Sequence, residues 1–423
     1  MTRMKDSGNP WVREIPSDWF EKKLRYLVKL RGEKSVTTDY KKYVGLENIM
    51  SQTGQYVQTG IEVDLTENLT FEVGDILFGK LRPYLRKYWR AEFSGTASSE
   101  FVIIKGSSLN LNFLFWAIQS DSFINDVDSS TYGSKMPRAS WEYMKNIKLP
   151  FPESIEEQTQ IADFLDKKVA QLDKVKSLLE EQIKTLEDYR QSLIYETVTK
   201  GLDKTVPLKD SGVDWIGQIP EGWGVKPIKY LVSTPVTDGP HETPTLYDEG
   251  IPFLSAESVK NGILDFRYKR GYISETAHKI FSRKVSPQKN DIFIVKSGAT
   301  TGNVGIVNTD EIFDIWSPLA LVRTRSDLAN QKFIYYFMLS DAFTKQIQNK
   351  WSFGTQQNIG MGVIEKIKLV VPPLGEQTPI ADFLDKKTEQ INQMIAIKKE
   401  QIENINKQRQ TLIYDVVTGK RRI

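Results

Sequence analysis

Apolar residues return at every seventh position between residues 165 and 193, as Leu165, Leu172, Leu179, Leu186 and Leu193, with Val169, Val175, Ile183 and Tyr189 as companions. A heptad repeat sustained this long predicts one continuous helix with a coiled-coil seam. The pattern comes back later in the chain, at Leu384, Ile391, Ile405 and Leu412, with Ile395 and Ile402 alongside and Lys398 where Leu179 stood. One polar residue in a seam is tolerated and helps to set register. Ser154 and Glu157 have the spacing of a capping box, and Pro150 and Pro152 close off the segment before it. Two seams within one chain are most simply satisfied if the helices pack on each other, and antiparallel packing would place the intervening bodies at opposite ends.

The rest of the chain has a shorter period. Asp75–Phe78, Phe101–Ile104, Asp291–Val295 and Leu319–Val322 are brief apolar runs punctuated by glycine, which predict strands of mixed or antiparallel sheets. One amphipathic helix is expected in each body, over Leu111–Phe123 and Gln331–Phe343, both ending in Ser-Asp-x-Phe. The polar segment Lys200–Asp210 breaks the first long helix and leads into the second body. The expected fold class is α+β, in four parts: a globular body over 1–152, a long helix over 153–200, a second body with its entry linker over 201–373, and a second long helix over 374–423.

This order reflects a duplication. EQTQIADFLDKK from Glu157 returns as EQTPIADFLDKK from Glu376, and the match runs without a gap into RQSLIYETVT and RQTLIYDVVT. An earlier echo pairs SGNPWVREIPSDW from Ser7 with SGVDWIGQIPEGW from Ser211, followed by LRYLV and IKYLV. Between these matched ends the two halves differ widely, so each is a divergent body on a shared frame.

Composition narrows the function. The 423 residues contain no cysteine, which removes disulfides, zinc thiolate sites and cysteine nucleophiles and fits a reducing, cytoplasmic setting. No apolar run reaches membrane-spanning length. With 57 basic and 54 acidic residues, any affinity for nucleic acid has to come from local basic stripes or from partner subunits.

Catalytic patterns are missing. SGATTGNVG, from Ser297 to Gly305, lacks the lysine of a phosphate-binding loop, and Val371-Pro372-Pro373-Leu374 lacks the leading amide and the aromatic of an amino-methyltransferase tetrad. His241 and His278 have no accompanying ligand or nucleophile cluster, so a surface or core role is the expectation for both.

Two pairs of loops carry the candidate chemistry. In the first body, Lys80, Arg82, Arg86 and Lys87 stand among Tyr84 and other aromatics directly after a strand, combining cations with stacking planes. A solvated basic edge has the same composition. The equivalent place in the second body holds Lys296, Ser297, Thr300, Thr301 and Asn303 with glycines, a set of small donors. A second pair precedes each long helix: Ser134, Lys135 and Arg138 in TYGSKMPRASW, and Thr355, Gln356, Gln357 and Asn358 in SFGTQQNIGMG. Lysine and arginine suit guanine acceptors or phosphates, whereas glutamine and asparagine pair bidentately with adenine.

The tandem order, EQxxIADFLD, WIGxIPxGW, LFGKLRPYLRK, KSGATTGNVG and GTQQNIG together resemble the specificity subunit of type I restriction-modification systems, over nearly the whole chain. The resemblance implies a noncatalytic DNA-recognition subunit in which each body reads one half of a split, asymmetric site in double-stranded DNA. It implies that the helices set the spacing and dock two methyltransferase subunits. Restriction subunits, S-adenosylmethionine, ATP and Mg2+ would belong to the partners, with no cofactor on this chain. It also gives His241, within TDGPHETP, a DNA-facing role. The rival readings are a coiled-coil adaptor whose globular ends hold proteins, and a stand-alone nuclease or methylase, for which no acidic cluster or tetrad is seen.

Overall fold

The computed structural model describes residues 3–9, 12–36, 42–59, 67–131, 136–350, 352–353 and 357–423. It divides into two compact units, one of residues 1–180 and 399–423 and the other of residues 181–398. Each unit therefore contains one body, the start of the long helix that follows it, and the end of the other long helix.

The first long helix runs Ile155–Lys200 and the second Leu374–Val417. The second ends where Gly419 takes a left-handed φ of +72°, and the first where Gly201 has the same value. Both glycines lie against the lead-in segment: an added Cβ would come 2.9 Å from Trp223 at Gly201 and 2.4 Å from Pro16 at Gly419. Ser154 Oγ accepts from Glu157 N at 3.2 Å, one half of the expected capping box. The Glu157 carboxylate instead takes a hydrogen bond from the Trp19 indole at 3.4 Å, as Glu376 does from Trp223 at 3.1 Å.

Other repeated residues also have matching structural duties. Buried Gln158 accepts from Asn110 N at 2.8 Å and donates to Pro152 O at 2.8 Å; Gln377 does the same with Asn330 N at 2.7 Å and Pro372 O at 2.9 Å. Thr159 and Thr378 accept from the side-chain amides of Asn110 and Asn330. The EQT motif is thus a clip between helix and body. It is repeated because both bodies need it.

Within each unit the two helical segments run antiparallel. In the first, Arg409 Nε lies 3.5 Å from Asp173; in the second, the positional equivalents Arg190 and Asn392 are hydrogen-bonded, and Lys398 donates to Gln182 at 2.6 Å. Leu165, Leu384, Ile391 and Ile395 are buried, while Leu172, Leu179, Leu186, Leu193, Ile402, Ile405 and Leu412 are half-buried. Val175 and Tyr189 do not join the seam: they are 47% and 54% exposed, and the stems of Lys176 and Arg190 take the inner positions. Lys398, which interrupts the second heptad, is accommodated by its hydrogen bond to Gln182.

The first unit has two four-stranded sheets. One is antiparallel, in the order Val28–Leu30, Phe101–Ser107, Ile76–Gly79, Tyr88–Arg90; the other, Lys34–Val36, Glu67–Phe71, Gly95–Ala97, Tyr43–Val44, is mixed, because its last pair is parallel. The second unit has a six-stranded mixed sheet, Thr237–Asp238, Leu319–Val322, Ile292–Val295, Val304–Ile306, Ile263–Leu264, Val259–Lys260, and a three-stranded one beside it. The main core of the first unit joins Trp19, Phe78, Phe113 and Leu165 to Ile413, Val416 and Val417 of the second long helix. That of the second unit joins Trp223, Ile292, Phe333 and Leu384 to Ile194 and Val198 of the first.

Each expected amphipathic helix is in fact two. Leu111–Ala117 is followed by Asp121–Ser129, and Gln331–Leu339 by Asp341–Gln348. The shared Ser-Asp opens a helix rather than closing one: Ser120 Oγ accepts from Phe123 N, and Asp121 sits in the first turn, where its charge suits the helix dipole. The linker is also structured at its end, where Leu208–Asp210 pairs with Gln218–Pro220.

Candidate nucleic-acid interface

The two loop pairs meet in each body, and they meet in the same way. In the first, strand Ile76–Gly79 delivers Lys80, whose N–H donates to Glu100 O at 2.8 Å and whose carbonyl accepts from Ala139 N at 2.9 Å; Arg82 N donates to Pro137 O at 2.7 Å, and Leu81 faces Arg138. In the second, strand Ile292–Val295 delivers Lys296, with N–H to Pro318 O at 2.8 Å and carbonyl from Ile359 N at 2.7 Å; Gly298 N donates to Gln357 O at 3.2 Å, and Ser297 faces Asn358. Bond for bond, one backbone scaffold carries two unlike sets of side chains.

On the first body the cations divide into outward and inward ones. Arg82 and Tyr84 are exposed, as is Arg138, whose guanidinium pairs with Glu100 at 2.6 Å. Arg86 and Lys87 face inward. Arg86 is tied to Asp121 at 2.5 Å and to Gln410 at 3.0 Å, and the Lys87 ammonium donates to the carbonyls of Leu46 and Ile49 at 2.6 and 2.9 Å. They brace the loop rather than present charge on it. Arg82 and Arg86 have left-handed φ angles of +51° and +55°, uncommon for bulky residues, on either side of the turn Pro83–Leu85. Desolvation holds half-buried Lys80 below the usual lysine range; Glu100 opposes this and Arg138 adds to it. No ion-pair partner of Lys80 occurs among the described residues. Ser134 and Lys135 lie outside the described residues.

On the second body Asn303, Gln357 and Asn358 are exposed, and Ser297 and Thr300 half-buried. Thr301 is buried, its hydroxyl donating to Gly298 O at 2.7 Å, so it locks the turn that Gly298 and Gly302 make with φ of +105° and +92°. Thr355 and Gln356 lie outside the described residues. Lys296 is held 2.8 Å from the buried carboxylate of Asp238, which also receives Lys284 at 2.6 Å and has the exposed His241 ring at 3.0 Å. Burial pushes Asp238 up, and the nearby ammonium groups of Lys284 and Lys296 more than offset it, leaving the carboxyl below the usual aspartate range. The sequence reading singled out Lys296 and His241 but missed Asp238 and Lys284. Asp238 was legible only as an acid inside the TDGPHETP segment, and nothing in the local pattern connects it to Lys284.

His278 is elsewhere, with Nδ1 2.6 Å from buried Asp314, whose pKa burial raises despite that contact. Among the described residues no group of three or more His, Cys, Asp or Glu side chains could hold a metal, and no helix is long and apolar enough to cross a membrane.

Two copies of one unit, alike in frame and unlike in the loops mounted on it, define a tandem recognition protein. The chain belongs to the family of the type I restriction modification DNA specificity domain, whose model matches it twice, over residues 16–187 and 220–405. It is 25% identical to the type I restriction enzyme MjaVIII specificity subunit of Methanocaldococcus jannaschii, over 97% of this chain and 94% of that one. It is 27% identical to the EcoKI specificity subunit of Escherichia coli, over 48% of this chain and 44% of the relative. A solved structure from work on complex assembly and conformational transition of the type I restriction-modification system shares the fold, with a TM-score of 0.71 at 19% identity, over 95% of this chain and 98% of that one. Membership in this family makes recognition of DNA sequence the task of the chain.

Proposed function

We propose that this chain is the noncatalytic specificity subunit of a type I restriction-modification complex and reads a split, asymmetric site, one half-site per body. The observation that carries the reading is the matched pair of loop scaffolds, 80–82 with 137–139 and 296–298 with 357–359, bearing unlike side chains. A fixed scaffold positions its side chains equally well in both copies. Changing those side chains changes which base edges are bonded. Arg82 and Arg138 on the first scaffold suit guanine acceptors or phosphates; Gln357 and Asn358 on the second suit adenine.

Two adenine methyltransferase subunits dock on the long helices. A docking patch supports this reading and is itself duplicated: Val175 and Leu178 are each 47% exposed, and their positional equivalents Met394 and Ile397 are 43% and 55% exposed. Two half-buried helical seams also leave apolar surface for further helices to cover. S-adenosylmethionine, and the ATP and Mg2+ of any restriction subunit, belong to those partners.

The test is selection of bound duplexes from a randomised pool by the chain assembled with its methyltransferase. Two short enriched blocks separated by a fixed unselected gap are expected. An adaptor for proteins would enrich no sequence.

A further inference from the structure

In the second body one buried carboxylate is met by two lysines and a histidine. Asp238 has no exposed side-chain surface; Lys284 reaches its Oδ1 at 2.6 Å, and Oδ2 lies 2.8 Å from Lys296 and 3.0 Å from His241. Its backbone is pinned in register opposite Ala320, and Lys284 also donates to Gly239 O at 3.0 Å. Gly239 packs so closely that an added Cβ would stand 2.1 Å from Ile315 O, so this segment has little freedom to shift. Lys296 is the residue whose backbone joins the two loops of the scaffold, while His241 and Lys284 are 68% and 46% exposed. The carboxylate is thus fixed below, with Lys296 largely covered and Lys284 and His241 reaching the surface.

We propose that Asp238 is the positioning residue of the second body's reading surface, holding Lys296, Lys284 and His241 where they favour one base sequence over others. This rests on the reading that the second body contacts the second half-site. Released from the carboxylate, the two lysines would meet phosphates, which are alike at every sequence. Asp238→Asn keeps the shape and removes the charge. It is therefore expected to lower selectivity without lowering general affinity for DNA, whereas loss of a residue needed only for folding would lower both.

The experiment compares the full chain with methyltransferase, wild type against Asp238→Asn, on duplexes with single-base changes in either half-site and on unrelated DNA. Discrimination in the second half-site should fall about tenfold or more, with the first within about twofold. Affinity for unrelated duplex should be unchanged or higher, with a steeper salt dependence. Unchanged discrimination in the second half-site, or equal losses in both, would overturn the proposal. A wild-type complex without a two-part preference would instead sink the recognition reading, whatever the variant does. Should Asp238→Asn not melt cooperatively, His241→Ala decides on an exposed side chain: a loss confined to the second half-site supports the proposal, and no change overturns it.

Discussion

Lys80 and Lys296 occupy the same place on the two scaffolds, with the same backbone hydrogen bonds, yet their ammonium groups are treated oppositely. Lys80 is half-buried with no ion-pair partner among the described residues, and desolvation depresses its pKa. Lys296 is paired with Asp238, which it shares with Lys284. A cation without an ion-pair partner gains most from a phosphate or a guanine acceptor, whereas a paired one is held in a fixed place. Position in a repeat therefore fixes the backbone, and the surroundings decide the chemistry.

Separating the halves should perturb the chain most. A fragment of residues 1–200 lacks Ile413, Val416 and Val417, which lie in the core of the first unit. A second copy can offer Ile194, Thr197 and Val198 from equivalent positions. The fragment should be a dimer by light scattering, and with methyltransferase should select a palindrome built from the first half-site. A folded monomer would contradict the equivalence of the halves.

Next in size is the shared clip. Gln158→Ala and Gln377→Ala each orphan a buried N–H and a buried carbonyl, and each should cost roughly 2 to 4 kcal/mol in denaturant unfolding. The two losses should agree within about 1 kcal/mol. A large disparity would mean that the frame is not shared energetically.

The lysines should then diverge. Lys296→Ala leaves the buried Asp238 short of one partner and should destabilise by about 2 kcal/mol. Lys80→Ala removes a desolvated cation with no ion-pair partner among the described residues and should change stability by less than about 1 kcal/mol, while weakening DNA binding. Equal thermal shifts for the two variants would erase the distinction.

The smallest effect is on pH. Asp238 has its pKa lowered in the folded chain, so its contribution is present above the ordinary aspartate value and lost as pH falls through the folded value. Asp314 has its pKa raised, so its contribution is present at lower pH and lost as pH rises through the folded value. Acid titration of stability should accordingly be shallower in Asp238→Asn and steeper in Asp314→Asn than in the wild type.

Much of the frame was legible in the sequence, because a duplicated motif marks a duplicated structural duty. EQT is repeated since Gln158 and Gln377 clip each long helix to its body, and the lead-in tryptophans are repeated since Glu157 and Glu376 accept from them. The four apolar runs expected as strands lie in or at strands Ile76–Gly79, Phe101–Ser107, Ile292–Val295 and Leu319–Val322, while the shorter and more polar strands left no such mark. The heptads located the seam but misplaced Val175 and Tyr189, because spacing alone does not say whether an apolar residue or the stem of Lys176 or Arg190 turns inward. The two pairs of loops stood out in the sequence, but the contacts of their individual residues did not. Whether Arg86 and Lys87 face out or in depends on Asp121, Leu46 and Ile49, and the state of Lys296 depends on Asp238, 58 positions earlier. Such partners are brought together by the sheet and leave no local period.

The most direct measurement is a map of methylated adenines in DNA from cells that carry this chain with its methyltransferase, made once for the wild type and once for Lys80→Ala combined with Arg138→Ala. A two-part asymmetric motif is expected, in which the double variant blurs one part and leaves the other part and the gap intact. A single continuous motif, or blurring of both parts together, would contradict it.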